Sequence, residues 1–537
     1  MKIKHTTFIK NILLPCIAFS TATGLFTGAL IYLFKLAFTA VIGLSDGIYA
    51  FVREEPIYLP LLLLGAAAVG LVSALILRAE PSCRGGGIPS AIAILRGLVT
   101  FQWLRSLITV FLSSLLTYLG GVPLGTEGPS VQMGTSIGRG TVRLFAKNNL
   151  AWDRYVMTGG ACAGFACATG APLSGIFFAF EDAHRRFSPM IFMTAAWTVF
   201  IGSATTETLC SLTDTESRLF SLHINEILPM RYLWVVILLG LITGFLAIAF
   251  SKLYRTLVAW KKRYKRKLPL LWRVPLIFVA TAAIGFASSH LIGTGHGLIE
   301  HLLEGDGVWY LLILYLAVRV ILLLFATTNG VTGGLFIPSL AFGALIGAIV
   351  AKALIGLEIL PKEHYVLIVC VSMAAFLSSS SRIPITAIAF AIEALGCIYN
   401  LIPVIACVTV SYLVIEVSRT PAFIESVVDG KEEAENEGKI ATVIDERVTV
   451  AHGAFAVEKE IRDILWPPTC TVLSVVKAEN AVGTAIAPGD VLHIHYRTYC
   501  PDETRLLLNA IVGEQSGDVD PNARIYTADT AHQTPQL

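Results

Sequence analysis

Apolar runs long enough to cross a bilayer recur through the first 420 positions, each ended by a short polar or glycine-rich break. About 20 apolar residues suffice for a membrane helix. On that pattern residues 11–42, 57–79, 102–120, 155–182, 232–251, 274–293, 308–326, 365–377, 384–396 and 400–416 are expected to be embedded helices. Arg53, Glu54 and Glu55 mark the turn between the first two. The pattern changes after Arg419. Residues 428–440 are charged and are expected to be a solvated linker. Thr471–Val476 and Val491–Tyr496 alternate with period two on either side of Pro488-Gly489-Asp490, which predicts strands and a turn. His493 and His495 share a face there and are read as ordinary strand histidines in preference to a metal-ligand pair. From Ser516 the chain is polar and is expected to be a disordered tail.

Three breaks share one form, in which glycines precede a proline that opens a helix. They are Gly85-Gly86-Gly87-Ile88-Pro89, Gly125-Thr126-Glu127-Gly128-Pro129 and Gly333-Gly334-Leu335-Phe336-Ile337-Pro338. Proline suits the first turn, where its missing N–H would be unpaired anyway. A helix N-terminus carries about half a positive charge and free donors, so three of them pointing to one place near the membrane midplane predict an anion site. Glu127 is itself an anion and can hold that site when nothing else does. A capped helix end with a dipole-favouring acid is the alternative, and the threefold recurrence counts against it.

Composition narrows the class. With 55% hydrophobic and 15% charged residues in 537, and mean hydropathy +0.70, the chain is too apolar for a soluble protein of its length. The net charge of +2 points to no partner. The basic run from Lys252 to Lys267 and the cluster His184-Arg185-Arg186 are expected on the cytoplasmic side, and the acidic stretch 207–226 outside. Nucleic-acid binding is not the expected use of the basic run. Lys2, Lys4, His5 and Lys10 precede an apolar run without a small-residue cleavage site, so a retained first helix is expected. The ten cysteines form no CxxC pair and are read as packing residues. No nucleophile or metal cluster lies at depth, so neither an enzyme nor a cofactor is expected.

Two similarities predict an internal repeat. Pro129-Ser130 with Gly134 and Gly138 recurs as Pro338-Ser339 with Gly343 and Gly347. Pro172 through Glu181 recurs as Pro384 through Glu393. Repeats with broken helices are a common transporter plan.

Over about residues 10–425 these motifs together resemble the CLC family of chloride channels and chloride/proton antiporters. The resemblance implies an all-α polytopic membrane protein of two inverted repeats with broken helices, followed by a small α+β cytoplasmic domain. It implies a homodimer with one anion pathway in each subunit. By resemblance Glu127 is the gating glutamate that takes protons from outside, and Asp182 is the internal proton acceptor. Gly86, Gly87, Ile88, Gly128, Leu335, Phe336 and Phe423 would line the anion site. Three positions depart from the family pattern. Gly86 stands for a serine, Phe423 for a tyrosine, and Asp182 for a glutamate. The implied activity is exchange of chloride or a similar anion for protons, with a passive channel as the alternative. Expected partners are the anion, protons and lipid, in a bacterial inner membrane with both termini cytoplasmic. Residues 443–515 resemble, more loosely, the TrkA-C-like C-terminal domain of potassium-uptake regulators, with an unknown ligand. The expected division is 1–425, a linker at 426–442, 443–515, and a tail at 516–537.

Overall fold

Prolines and glycines set the helix boundaries in a computed structural model that describes residues 12–85, 87–146, 149–220, 222–264, 269–305, 307–478, 483–514 and 524–527. Gly86 therefore lies outside the described residues. The helices are α1 (Leu14–Glu54), α2 (Leu59–Ala79), α3 (Ile88–Leu95), α4 (Trp103–Leu119), α5 (Glu127–Phe145) and α6 (Asp153–Thr169). They continue with α7 (Pro172–Phe178), α8 (Pro189–Leu212), α9 (Leu233–Tyr264), α10 (Leu270–Ala287), α11 (His296–Leu303) and α12 (Trp309–Thr328). The last are α13 (Phe336–Gly356), α14 (Tyr365–Ser381), α15 (Pro384–Glu393), α16 (Leu401–Val417), α17 (Phe423–Glu435) and α18 (Pro501–Val512). Among the described residues, 8 helices are long and apolar enough to cross a membrane. The chain is an integral, multi-pass membrane protein.

The repeat is visible in the packing. α6 and α14 each have 17 residues, and each ends on a left-handed residue, Gly170 (φ 70°) and Arg382 (φ 60°). Pro172 and Pro384 then open α7 and α15. Glycines let α5 lie on α6 and α13 on α14. A Cβ on Gly134 would fall 2.0 Å from the Gly160 carbonyl oxygen, and one on Gly343 2.6 Å from the Met373 Cα. Small residues of this kind are how membrane helices approach closely. α14 is buried along nearly its whole length, whereas α1 and α2 leave most of their surface exposed to the surroundings.

The C-terminal part has its own core, built on Ile444, Val448, Leu492, Ile494, Tyr496, Leu508 and Ile511. Strands β1 (Thr442–Thr449), β2 (Thr471–Val476), β3 (Val491–Thr498) and β4 (Arg524–Thr527) form an antiparallel sheet in the order β2-β3-β1-β4. Along β3 the even positions are buried, the period-two pattern of a half-covered strand. His495 Nδ1 lies 2.7 Å from Asp445 Oδ1 across the sheet, and His493 stands opposite Arg447. At the turn into β3, burial works against the Asp490 carboxylate. Hydrogen bonds from the amides of Ala487 (2.9 Å) and Ala478 (3.0 Å), with Lys477 at 2.9 Å, nevertheless hold it below the usual carboxylate range.

Several boundaries differ from the pattern. The first helix runs to Glu54, because nothing between positions 42 and 54 breaks it. The stretch 155–182 is interrupted, since Gly170 takes a left-handed turn and Pro172 restarts the chain. Residues 207–212 finish α8 and do not join the outer loop. The expected linker begins as α17, whose Ile424, Val427 and Val428 are buried in the helical core. In the expected tail, Arg524–Thr527 pairs with β1, and the rest of that stretch lies outside the described residues. All ten cysteines are free and eight are buried, as packing residues are.

Candidate functional site

The three breaker stretches meet. A Cβ on Gly87 would fall 2.7 Å from the Gly128 Cα, and one on Gly128 would fall 2.6 Å from the Gly334 Cα. At these positions only glycine leaves room for three backbones. The contact is laced by hydrogen bonds. Gly125 and Gly334 exchange N–H···O bonds of 2.8 and 2.6 Å, and the Gly85 amide donates to the Gly330 carbonyl at 2.9 Å. Tyr118 Oη donates to the Gly125 carbonyl at 2.8 Å. Thr332 Oγ1 donates to the Cys83 carbonyl at 2.9 Å and accepts from Ser113 Oγ at 2.8 Å. The starts of α3, α5 and α13 are thus held at one junction.

Glu127 is the first residue of α5 and is fully buried. Its Oε1 accepts from Thr126 Oγ1 at 3.2 Å. Its Oε2 lies 2.7 Å from where a Gly125 Cβ would be, the same spot that faces Ile337 and Pro338 at 3.3 Å. The carboxyl therefore sits in the notch between the first turns of α5 and α13, where two helix dipoles favour a negative charge. Lys35 of α1 is engaged elsewhere, donating to the Ser217 carbonyl at 2.6 Å.

The other anion-site candidates divide. Gly128 stands at the junction, and Leu335 and Phe336 open α13 beside it with 3% exposure each. The Phe336 ring is held edge-on by Phe165 and Phe390, with centroids 5.0 Å from each. Ile88 is buried at the start of α3. The Gly87 amide is already engaged, donating to Gln132 Oε1 at 3.1 Å. Gln132 in turn donates to the Ser82 carbonyl (3.1 Å) and Ser106 Oγ (3.3 Å). Phe423 opens α17 and packs on Phe250 and Tyr254 at 4.8 and 4.7 Å, with Phe250 joining it to Phe342 of α13.

Asp182 lies at the opposite end of α3. That helix starts at the junction and ends at Leu95, just before Arg96, and eight residues at 1.5 Å each make it about 12 Å long. Arg96 donates to the carbonyls of Asp182 (2.9 Å) and Ala183 (3.0 Å) and pairs with Glu425 at 2.9 Å. Glu425 also pairs with Arg185 at 3.0 Å. Asp182 sits in a widened turn, Ala179–Ala183, closed by the His184 amide on the Ala179 carbonyl at 3.2 Å. Such π-type turns cost regularity and gather at functional sites. The side chain is 3% exposed, and its Oδ2 has no hydrogen-bond partner among the described residues.

Sequence reasoning missed two kinds of residue. Glu181 is a cap. Its carboxylate accepts from the amides of Ile385 (2.8 Å) and Thr386 (2.7 Å) and from Thr386 Oγ1 (2.7 Å) at the start of α15. Glu393 returns the arrangement, accepting from the amides of Leu173 (2.7 Å) and Ser174 (2.8 Å) and from Ser174 Oγ (2.7 Å) at the start of α7. The repeated proline-to-glutamate spacing was the available signal. Gln132 and Arg319 are the second kind, buried polar side chains whose partners lie on other elements. Arg319 is buried and donates to the carbonyls of His290, Ile292 and Gly293 at 2.8–3.0 Å. The Gly293 amide donates onward to the Gly121 carbonyl at 2.7 Å, close before the second breaker stretch.

Among the described residues no group of three or more His, Cys, Asp or Glu is placed to hold a metal ion. Residues 65–416 match the family described as voltage gated chloride channel. Among solved structures, the chain is similar to a slow cyanobacterial Cl⁻/H⁺ antiporter, at 23% identity and TM-score 0.72, over 79% of this chain and 99% of that one. A eukaryotic CLC transporter matches at 21% identity and TM-score 0.65, over 78% and 74%. A CLC-type fluoride/proton antiporter matches at 21% and 0.63, over 76% and 97%. At these identities the likeness is one of fold.

Proposed function

This chain belongs to the voltage gated chloride channel family, and from that premise we propose that it exchanges chloride, or a similar small anion, for protons. The observation that carries the reading is Glu127. It is a buried carboxylate wedged between two helix N-termini at the junction of three glycine stretches. Ionised, it fills the place an anion would take. Protonated, it gives up its hold on those dipoles and leaves the backbone donors of α5 and α13 to the anion. None of the three stretches offers a full cation at the junction, which suits a pathway that must release what it binds. Asp182, about one short helix away, takes the proton on the other side.

The passive-channel reading has its own support. Phe423 brings no hydroxyl to its position, Gly86 has no side chain, and the Gly87 amide is held by Gln132. Each removes a donor from the anion, and weak holding loosens any exchange. We assign His184–Arg186 and the basic run 252–267, which as far as Tyr264 is the end of α9, to the cytoplasmic side of a bacterial inner membrane, with both termini there. We further assign residues 443–515 a regulatory and dimerising role in a homodimer. The deciding experiment reconstitutes the protein in liposomes under a chloride gradient and follows pH. Uphill proton movement supports exchange. Chloride flux without any proton movement gives the channel.

A further inference from the structure

The segment that follows Asp182 is gripped from outside the helical part. Residues 461–468 of the C-terminal part form a loop that enters the same end of the bundle. Leu465 is 4% exposed and belongs to the core of the helices, not to that of its own sheet. Tyr155 Oη donates to the Asp463 carbonyl at 2.8 Å and accepts from the Leu465 amide at 2.8 Å. Arg186 donates to the Ile464 carbonyl at 2.8 Å, and Ser188 Oγ to that of Asp463 at 3.2 Å. Arg154 bonds the Trp466 carbonyl and also the Leu95 carbonyl, the residue before Arg96. Phe455 closes on Trp152 and Tyr155 with centroids 5.7 and 6.0 Å away. Pro468 lies where a Cβ on Gly97 would be, 2.2 Å from its Cγ.

Three of these residues belong to the frame of Asp182, and Tyr155 grips the same stretch, 463–465, that Arg186 and Ser188 bond. Arg186 and Ser188 end the segment Asp182 begins, and Arg154 holds the turn that presents Arg96. The charged groups acting on Asp182 are Arg96, Arg185, Glu181 and Glu425. His184 beside it bonds Thr158 Oγ1 at 2.7 Å and faces Arg154, Arg186 and Arg96. We propose that the 461–468 loop is a clamp that positions Asp182 for proton transfer, with Tyr155, Arg154 and Arg186 as positioning residues. The sheet-bearing part thereby sets how many protons accompany each anion. This rests on the exchange reading above.

The test uses the full chain in liposomes, natural and carrying Tyr155→Phe, Leu465→Ala or Asp182→Asn. Tyr155→Phe deletes both hydroxyl bonds and little else. Protons moved per anion should fall at least about twofold, well within the ~100-fold that a 1 Å misplacement can cost. The dependence of exchange on pH at the loop side should shift, while downhill anion flux stays near the natural rate. Leu465→Ala should act in the same direction. An unchanged ratio and pH profile in both variants overturns the clamp. So does a fall of flux and ratio in step with the fraction of folded protein, which marks mere structural support. Asp182→Asn separates the two readings. If it uncouples and the loop variants do not, only the clamp is lost. If it still moves protons uphill, exchange stands without Asp182 as its internal acceptor and the clamp fails; if the natural chain moves none, exchange itself fails and takes the clamp with it.

Discussion

Two residues before the helix-opening proline, the first half of the bundle carries Glu127 and the second carries Phe336; after the capping glutamate, the first half carries Asp182 and the second Ala394. Around these positions the halves agree closely. Ser130 and Ser339 each return a hydrogen bond to the carbonyl four residues back, at 2.9 and 2.8 Å. The glycine faces, the left-handed residue before each proline and the reciprocal glutamate caps all recur. The duplicated skeleton makes the helix ends in both halves, and the two carboxylates proposed to carry protons, Glu127 and Asp182, lie in one half alone. A carboxylate at position 336 would set a second negative charge at the junction, opposing both Glu127 and the anion. An aromatic ring fills that space without charge.

The largest effect that can break this comparison is at Glu127. Glu127→Gln should lower coupled proton flux about 100-fold or more, the range lost with a positioned proton-transfer group. Anion flux should rise and lose its dependence on external pH. The sign follows from the neutral side chain copying the protonated state, which low pH produces in the natural protein. Phe336→Leu, measured in the same liposomes, should keep both coupling and pH dependence. If it uncouples as fully as Glu127→Gln, the asymmetry is wrong.

Asp182 comes next. Asp182→Asn should stop uphill proton movement and leave downhill anion flux, whereas Asp182→Glu should keep coupling. Ala394→Asp, the mirror change, should add no second proton route. A raised proton-to-anion ratio in that variant would contradict the one-sided arrangement.

The smallest effect lies in the caps. Glu181→Gln and Glu393→Gln each replace a charged acceptor of three hydrogen bonds by a neutral one, and should cost about 1–3 kcal/mol each. Thermal unfolding in detergent should show similar losses for the two. Only Glu181→Gln, one residue from Asp182, should also change the proton ratio. Equal uncoupling by both would show the caps to be scaffold alone.

Much of this was legible from residue order. Glycine followed by proline inside an apolar run has few meanings, so the three helix starts and Glu127 stood out. The repeat was visible because proline, serine and glutamate recur at the same spacing. The destination of Glu181 was not legible, since its partners lie more than 200 positions away. Nor was the use of the Gly87 amide by Gln132, because an amide side chain can cap a loop or face a ligand with the same sequence around it. The loop at 461–468 carries no mark of docking. Leu465-Trp466 reads like any buried pair in a small domain, and only the assembled bundle shows which core it enters.

The crossed caps also bear on how the chain is made. The amide of Leu173 must wait for the carboxylate of Glu393, which leaves the ribosome 220 residues later. At 5–20 residues per second that delay is roughly 10–45 s. During it the amides of Leu173 and Ser174 lack that partner, and a bare polar group costs several kcal/mol wherever hydrocarbon surrounds it. Water or the insertion machinery must cover those amides in the interval. In this chain the cap on α7 comes from the second half and the cap on α15 from the first, so each half finishes a helix end of the other.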